Sequence, residues 1–108
     1  MNEAEMAQVL EVPSSVTISS AAMFAESVAQ HLDQHDTTVL NLAQVQEVDL
    51  SFLQILCAAR DHASRTDKTI QLAGPATDVV TALLRRAGML DAPAQHDLDF
   101  WLDGALPQ

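Results

Sequence analysis

A repeated change of hydrophobic period along the chain restricts its fold more than any other feature. Short segments rich in β-branched residues, with apolar residues at alternate positions, predict strands at residues 7–12, 15–19, 37–45 and 69–73. Apolar residues elsewhere recur every three or four positions, which predicts helices at about residues 21–32, 52–65 and 76–87. The order β-β-α-β-α-β-α predicts an α/β fold in which three to four helices pack on a small mixed, partly parallel sheet.

The second and third predicted helices have typical end signals. Ser51 and Gln54 have the S-x-x-Q spacing of a capping box at the start of the second helix. Asp78 near the start of the third helix and Arg85 near its end complement the helix dipole. Gly88 is positioned to end that helix.

The length of 108 residues predicts a single domain over residues 1–108. We expect its core within about residues 7–90, a frayed arm at residues 1–6, and a C-terminal tail at residues 91–108 that contains a possible short helix. Cys57 is the only cysteine, so no internal disulfide can form, and its position among apolar residues indicates a small core residue. The chain has no secretory signal pattern and no apolar run of membrane-spanning length, which predicts a cytoplasmic protein without membrane insertion.

Acidic residues dominate the chain, whose formal net charge is −10 at neutral pH. All five Lys and Arg residues lie between residues 60 and 86, so the first 59 residues contain no Lys or Arg. Because a phosphate backbone would be repelled by this charge, we expect no nucleic acid partner. The acidic N-terminal half indicates either a solubilising surface or a face that steers a basic protein partner.

Motifs for catalysis and cofactor binding are missing from the sequence. It contains no nucleophile elbow, P-loop, dinucleotide-binding glycine pattern or zinc-protease motif, and its three glycines cannot build a phosphate cradle. His31 and His35 are four positions apart on a predicted helix and could share a metal, but no third ligand has a useful spacing. A solvated polar helix face is the simpler interpretation. We therefore expect no enzymatic activity, no cofactor and no metal.

One short segment, residues 49–53, is a candidate site because it joins the central strand to the second helix. The Asp49 carboxylate and the Ser51 hydroxyl lie where the free amides of a helix N-terminus favour hydrogen-bond acceptors. They either only cap the helix or belong to an exposed docking point, since loops after strands often carry the sites of α/β folds.

Three segments follow one another along the chain: SVTISSAAMFAESVAQHL, VLNLAQVQEVDLSFLQIL and TIQLAGPATDVVTALLRRAGML. In order and spacing they resemble the STAS domain, the module named for sulfate transporters and anti-sigma factor antagonists. They are similar, in turn, to the family's second strand and first helix, its strand and switch loop, and its last strand, Gly-Pro turn and final helix. The resemblance covers about residues 9–90 and implies a small mixed sheet with helices packed on it.

The resemblance also implies a partner site. Antagonist members bind a kinase or an anti-sigma factor through the switch loop and second helix, and phosphorylation of a serine or threonine after the loop aspartate breaks the complex. Asp49 matches that aspartate, whereas Leu50 occupies the phosphoacceptor position and Phe52 replaces a glycine. The usual switch is therefore missing at its usual place, and Ser51 matches a second serine that is not the usual acceptor. Leu50 and Phe52 are either exposed docking residues or buried packing residues, because one residue of helix rotation exchanges them.

These observations predict a non-catalytic, STAS-like interaction module of bacterial signalling. Its protein partner would be an anti-sigma kinase, a histidine kinase or another signalling protein. The predicted binding residues are Asp49, Leu50, Ser51, Phe52 and Leu53. Two alternatives are a soluble STAS-like subunit that docks on a transport ATPase, and a phosphoswitch moved to Ser51.

Overall fold

A computed structural model describes residues 8–104, in which the chain forms five short strands and four helices. The strands are β1 (Val9–Glu11), β2 (Ser15–Val16), β3 (Thr37–Asn41), β4 (Glu47–Val48) and β5 (Thr69–Leu72). The helices are α1 (Ala21–Gln34), α2 (Leu50–Arg65), α3 (Asp78–Arg86) and α4 (Gln95–Leu102). The predicted arm at residues 1–6 and the first residue of the predicted strand 7–12 lie outside the described residues.

The three longest strands form one sheet in the order β1-β3-β5, and β2 and β4 form a separate pair. Val39 in the central strand is the register partner of Val9 in β1 and of Gln71 in β5. All three strand pairings in residues 8–104 are parallel, which requires that a crossover joins each pair. The predicted α/β class is confirmed, with β3 at the centre of the sheet.

Each helix buries one apolar stripe in the core, as the hydrophobic period predicts. The stripe of α1 is Phe24, Val28 and Leu32, at the expected spacing of four residues. Buried residues of the other helices include Phe52, Leu53, Leu56, Val80, Leu83, Leu84, Trp101 and Leu102. The core therefore continues past residue 90 into α4, whose existence the apolar residues near the C-terminus predicted.

The observed strands are shorter than the predicted ones, and in two cases a side-chain hydrogen bond explains where the strand ends. The segment 15–19 leaves its strand after Val16 because the Ser20 hydroxyl accepts the Thr17 amide at 3.2 Å and starts a turn. The segment 37–45 ends its first strand at Asn41, whose side chain accepts the Ala43 amide at 3.0 Å. The chain then turns and adds the short strand β4, which the sequence did not predict.

The interpretation of Cys57 as a core residue is wrong. Its side chain is exposed on α2. The physical reason is the phase of the helix: Leu50, Gln54 and Cys57 share one face by helical spacing, and all three face solvent. The opposite face of α2, which includes Phe52 and Leu56, enters the core.

Candidate functional site

The start of α2 is built around the carboxylate of Asp49, which is the N-cap residue of the helix. Asp49 has an extended backbone, and its Oδ1 accepts the Ser51 amide at 2.9 Å and the Ser51 hydroxyl. The predicted capping box of Ser51 and Gln54 is therefore wrong, because the carboxylate two residues earlier satisfies the free amide. As a result, α2 begins at Leu50 and not near residue 52.

The second oxygen of the same carboxylate reaches another loop. Asp49 Oδ2 accepts the amide of Ile18 at 2.9 Å, across 31 positions of sequence. One side chain thus holds the turn before α1 against the start of α2. We call this meeting point of residues 17–20 and 49–53 the corner.

Hydrogen bonding in the corner lowers the pKa of Asp49. The largest cause is the bond from the Ser51 hydroxyl, followed by the bond from the Ile18 amide, while desolvation opposes them and the Ser51 amide adds to them. Donors aimed at a carboxylate favour its charged form. The corner therefore carries a fixed negative charge at neutral pH.

The structure separates the five predicted binding residues into two groups. Leu50 is 54% exposed, whereas Phe52 and Leu53 are 0% and 2% exposed. Phe52 stacks with Phe24 at a centroid distance of 5.9 Å and lies 6.4 Å from the ring of Trp101. Of the two apolar residues whose exposure the sequence left open, only Leu50 is thus available to another molecule.

Ser51 is almost entirely covered, with 7% exposure. Its hydroxyl donates to Asp49 Oδ1, and its amide donates to the same oxygen. A phosphate on Ser51 would have to break the hydroxyl contact and would place about two negative charges beside the Asp49 carboxylate. Phosphorylation there would oppose the bonds that hold the corner together.

Ile18 is a surface residue of the corner that sequence reasoning missed. Its side chain is 80% exposed, the highest value among the exposed large apolar residues of the described chain. The sequence placed it inside a strand because SVTIS alternates, but Ser19 and Ser20 after it are also typical turn residues and are the available signal. We define the exposed side chains of Ile18 and Leu50 as the corner patch.

An open apolar groove of about 490 Å³ lies between α1 and α2 and begins at the corner. Ile18 and Ser51 line one end, and Leu32 and His62 line the other. The walls between these ends consist largely of small residues: Ala21, Ala25, Ala29, Ala58 and Ala59. The partly buried Ile55 also lines this groove, which is the most apolar concave surface near the corner.

The two histidines considered for metal binding lie side by side on α1. Their ring centroids are 4.4 Å apart, and His31 Nδ1 lies 3.0 Å from the hydroxyl of the buried Thr38. Within residues 8–104, no cluster of three or more His, Cys, Asp or Glu side chains has a geometry for holding a metal ion. None of the helices described there combines the length and apolar character that a membrane span requires.

The parallel strands, the packed helices and the loop before α2 define a small α/β domain of a known kind. The family described as "Mlab, STAS domain" matches residues 1–95. Because the match covers most of the chain, the protein belongs to the STAS domain family. Domains of this family are in general interaction or signalling modules without catalytic activity. Neither the curated proteins nor the solved structures contain a match to this chain.

Proposed function

We propose that this chain is a non-catalytic module of bacterial signalling that binds a regulatory protein through its corner patch. The observation that carries the proposal is the exposure of Leu50, which stands where the family resemblance implies a phosphoacceptor. The apolar side chains of Leu50 and Ile18 are 54% and 80% exposed, and covering them with a partner surface would lower the free energy of the complex.

The corner patch contributes to binding through the burial of its apolar side chains. Full burial of a Leu or Ile side chain contributes about 1.5–3 kcal/mol. Both residues are attached to backbone that the Asp49 carboxylate holds in place through the Ile18 and Ser51 amides. Backbone that is already ordered loses little conformational entropy on binding, so more of the burial energy appears as affinity. Phe52 and Leu53 support the patch from inside by fixing α2 on the core.

Binding through Leu50 has no phosphate switch at that position, because a leucine side chain has no group that can be phosphorylated. We therefore propose a complex that forms whenever both proteins are present. In the alternative with the switch at Ser51, phosphorylation would break the Ser51–Asp49 contact and loosen the corner. Incubation with a cognate kinase followed by intact mass spectrometry separates the two cases: a mass gain lost in Ser51→Ala supports the alternative.

A second candidate function is that of a soluble subunit docked on a transport ATPase. The same Leu50 favours it, since a contact that cannot be modified suits a lasting complex better than a reversible signalling complex. The two candidates differ in the partner. A signalling partner would be a soluble or membrane-bound kinase or another regulator, whereas the alternative predicts a nucleotide-binding transport subunit in the membrane fraction.

Affinity capture with matched variants tests the proposal. The tagged protein is incubated with soluble and detergent-solubilised membrane fractions of its source cells, and bound proteins are identified by mass spectrometry. Leu50→Arg and Leu50→Asp should each reduce capture of the partner at least about tenfold, since they remove a central apolar contact and bury a charge. Val79→Arg changes another exposed apolar residue, on α3, and should have no effect.

Circular dichroism and thermal melting must show that the Leu50 variants remain folded, which their exposure predicts. Undiminished capture by both Leu50 variants and by Ile18→Arg would refute binding through the corner patch. The identity of the captured partner decides between the signalling protein and the transport subunit.

A further inference from the structure

We propose that the groove between α1 and α2 binds a basic amphipathic helix of the partner protein. This inference rests on the proposed function and adds the chemistry of the segment that is bound. It follows from three features of the groove: its small side chains, its length, and the charges along its rims.

The side chains that line the groove allow a helix to approach closely. Ala21, Ala25 and Ala29 follow each other at four-residue spacing on α1, and Ala58 faces them from α2. Alanine side chains end at Cβ, so the axis of a third helix can come near both walls. An apolar groove between two helices is a common receptor for one apolar face of a partner helix.

The dimensions of the groove also suit a helix. Both walls run away from the corner in the same direction, because α1 and α2 each cross back between parallel strands. From Ala21 to Leu32 the α1 wall rises about 17 Å at 1.5 Å per residue. A helix of three to four turns covers this distance, and its end at the corner would lie beside Ile18.

The charges beside the groove are mainly negative. Glu26 and Asp33 are exposed and directly follow the lining residues Ala25 and Leu32 on α1, and Asp61 directly precedes the lining residue His62 on α2. Asp49 adds a carboxylate at the corner end.

Two cations lie near the opposite end, and both already have partners. Arg65 pairs with Asp61 at 3.1 Å. Lys68 donates to the backbone carbonyls of Leu32 and Asp33 at 2.6 and 3.1 Å, at the C-terminus of α1. Within residues 8–104, neither Glu26 nor Asp33 forms a salt bridge, although the Lys68 ammonium lies at the Asp33 carbonyl. Lys and Arg side chains on the flanks of a docked helix would complement them.

Two other occupants fit the charges less well. A second copy of this chain would bring the same acidic rims and a net charge of −10, so repulsion opposes that pairing. A fatty acid could use the apolar walls, but its carboxylate would meet the same negative rims. A cationic helix satisfies both the apolar walls and the acidic rims.

Peptide titration of the full chain tests the inference without knowledge of the partner. A labelled synthetic helix with Leu on one face and Lys on the other is titrated by fluorescence anisotropy, beside a peptide with Glu in place of every Lys. The Lys peptide should bind and the Glu peptide should not. Its affinity should fall steeply at about 1 M salt, where the Debye length is about 3 Å.

Groove variants show where the peptide binds. Ala58→Phe fills the groove without a change of charge and should weaken binding at least about tenfold. Ala82→Phe makes the same change at an exposed position of α3 and should leave the affinity unchanged. Ala29→Phe, on the facing wall, repeats the test if the first variant melts at a lower temperature.

Charge variants test the acidic rim. The double variant Glu26→Gln/Asp33→Asn should weaken peptide binding by about 3- to 10-fold and reduce its salt dependence, as expected for the loss of two exposed ion pairs. Asp91→Asn/Asp103→Asn removes two charges elsewhere and is the matched control; Asn tolerates the positive φ of 59° at position 103.

Several results would overturn the inference. Equal binding of the Lys and Glu peptides would do so, as would unchanged affinity in the Ala58→Phe and Ala29→Phe variants. The other two results are binding of a fatty acid in place of the peptide, and a dimer in sedimentation that Ala58→Phe dissociates. If the Lys peptide fails while partner capture still depends on Leu50, the groove inference is wrong and the proposed function stands. If the groove variants block the peptide while capture ignores Leu50, the proposed function is wrong and the groove remains a helix receptor.

Discussion

Replacement of Phe52 by alanine should destabilise the fold strongly, although this residue lies two positions from the exposed Leu50. The Phe52 side chain is fully buried and contacts the rings of Phe24 and Trp101 at centroid distances of 5.9 and 6.4 Å. Removal of a buried phenyl group typically costs about 3–5 kcal/mol, since burial energy is lost and a cavity remains. A domain with a total stability of about 5–15 kcal/mol would lose a large fraction of it.

Thermal and urea denaturation, followed by circular dichroism, measure this loss. For a domain of this size, about 4 °C per kcal/mol is a conservative conversion, so the midpoint should fall by about 12 °C or more. Leu50→Ala is the matched control and should change stability by less than about 0.5 kcal/mol, because its side chain is half exposed. A Phe52→Ala loss below about 1 kcal/mol, or an equal loss in both variants, would refute the assignment of the two faces of α2.

Three further predictions concern other parts of the structure. Cys57 should react with a thiol reagent in the folded protein almost as fast as in urea, because it is exposed; protection in the folded state would contradict its placement. The lowered pKa of Asp49 means that its charge stabilises the fold above about pH 3.9, the unfolded value, and that this stabilisation disappears as the pH falls through the folded pKa. The difference in melting temperature between wild type and Asp49→Asn should therefore be largest at neutral pH and shrink in acid, and a constant difference would contradict the bonding. Arg60→Ala removes an ion pair of 3.0 Å to Asp97 and a contact of 4.3 Å with the Phe100 ring. It should lower the free energy of unfolding by about 1–2 kcal/mol and speed amide exchange in α4. Unchanged exchange would show that Arg60 does not hold this helix.

The existence and order of most elements could be predicted from the sequence. Apolar residues that face one core must recur at the period of the helix or strand that carries them. Ala21, Ala25, Val28 and Leu32 recur at intervals of three and four residues and line one groove, whereas a strand would put the first two and the last two on opposite faces. The strand ends could not be predicted in this way. The strand at residues 15–19 ends early because two of its amides bond to side chains: the Thr17 amide to Ser20 and the Ile18 amide to Asp49. The contact with Asp49 spans 31 positions, so local alternation of apolar residues cannot predict it.

The side-chain orientations in the candidate site could not be predicted from the sequence either. The sequence located residues 49–53 through the family resemblance and the helix start, but it did not decide which side chains face outward. That outcome depends on the rotation of α2 about its axis, which a shift of one residue changes by 100°. The cap at Asp49 and the stacking of Phe52 on Phe24 fix the rotation, and the exposure of Leu50 and Cys57 follows from it.

Asp49 connects the fold of this domain to the proposed binding site through its two carboxylate oxygens. One oxygen caps α2, which helps to set the phase that buries Phe52 and exposes Leu50. The other holds Ile18 beside the same surface, at the mouth of the groove between the helices. Because both bonds use the charged carboxylate, any negative group added next to it weakens the helix start and the corner patch together. A leucine at position 50 keeps such a group away from the position next to Asp49, which is consistent with a corner that stays assembled.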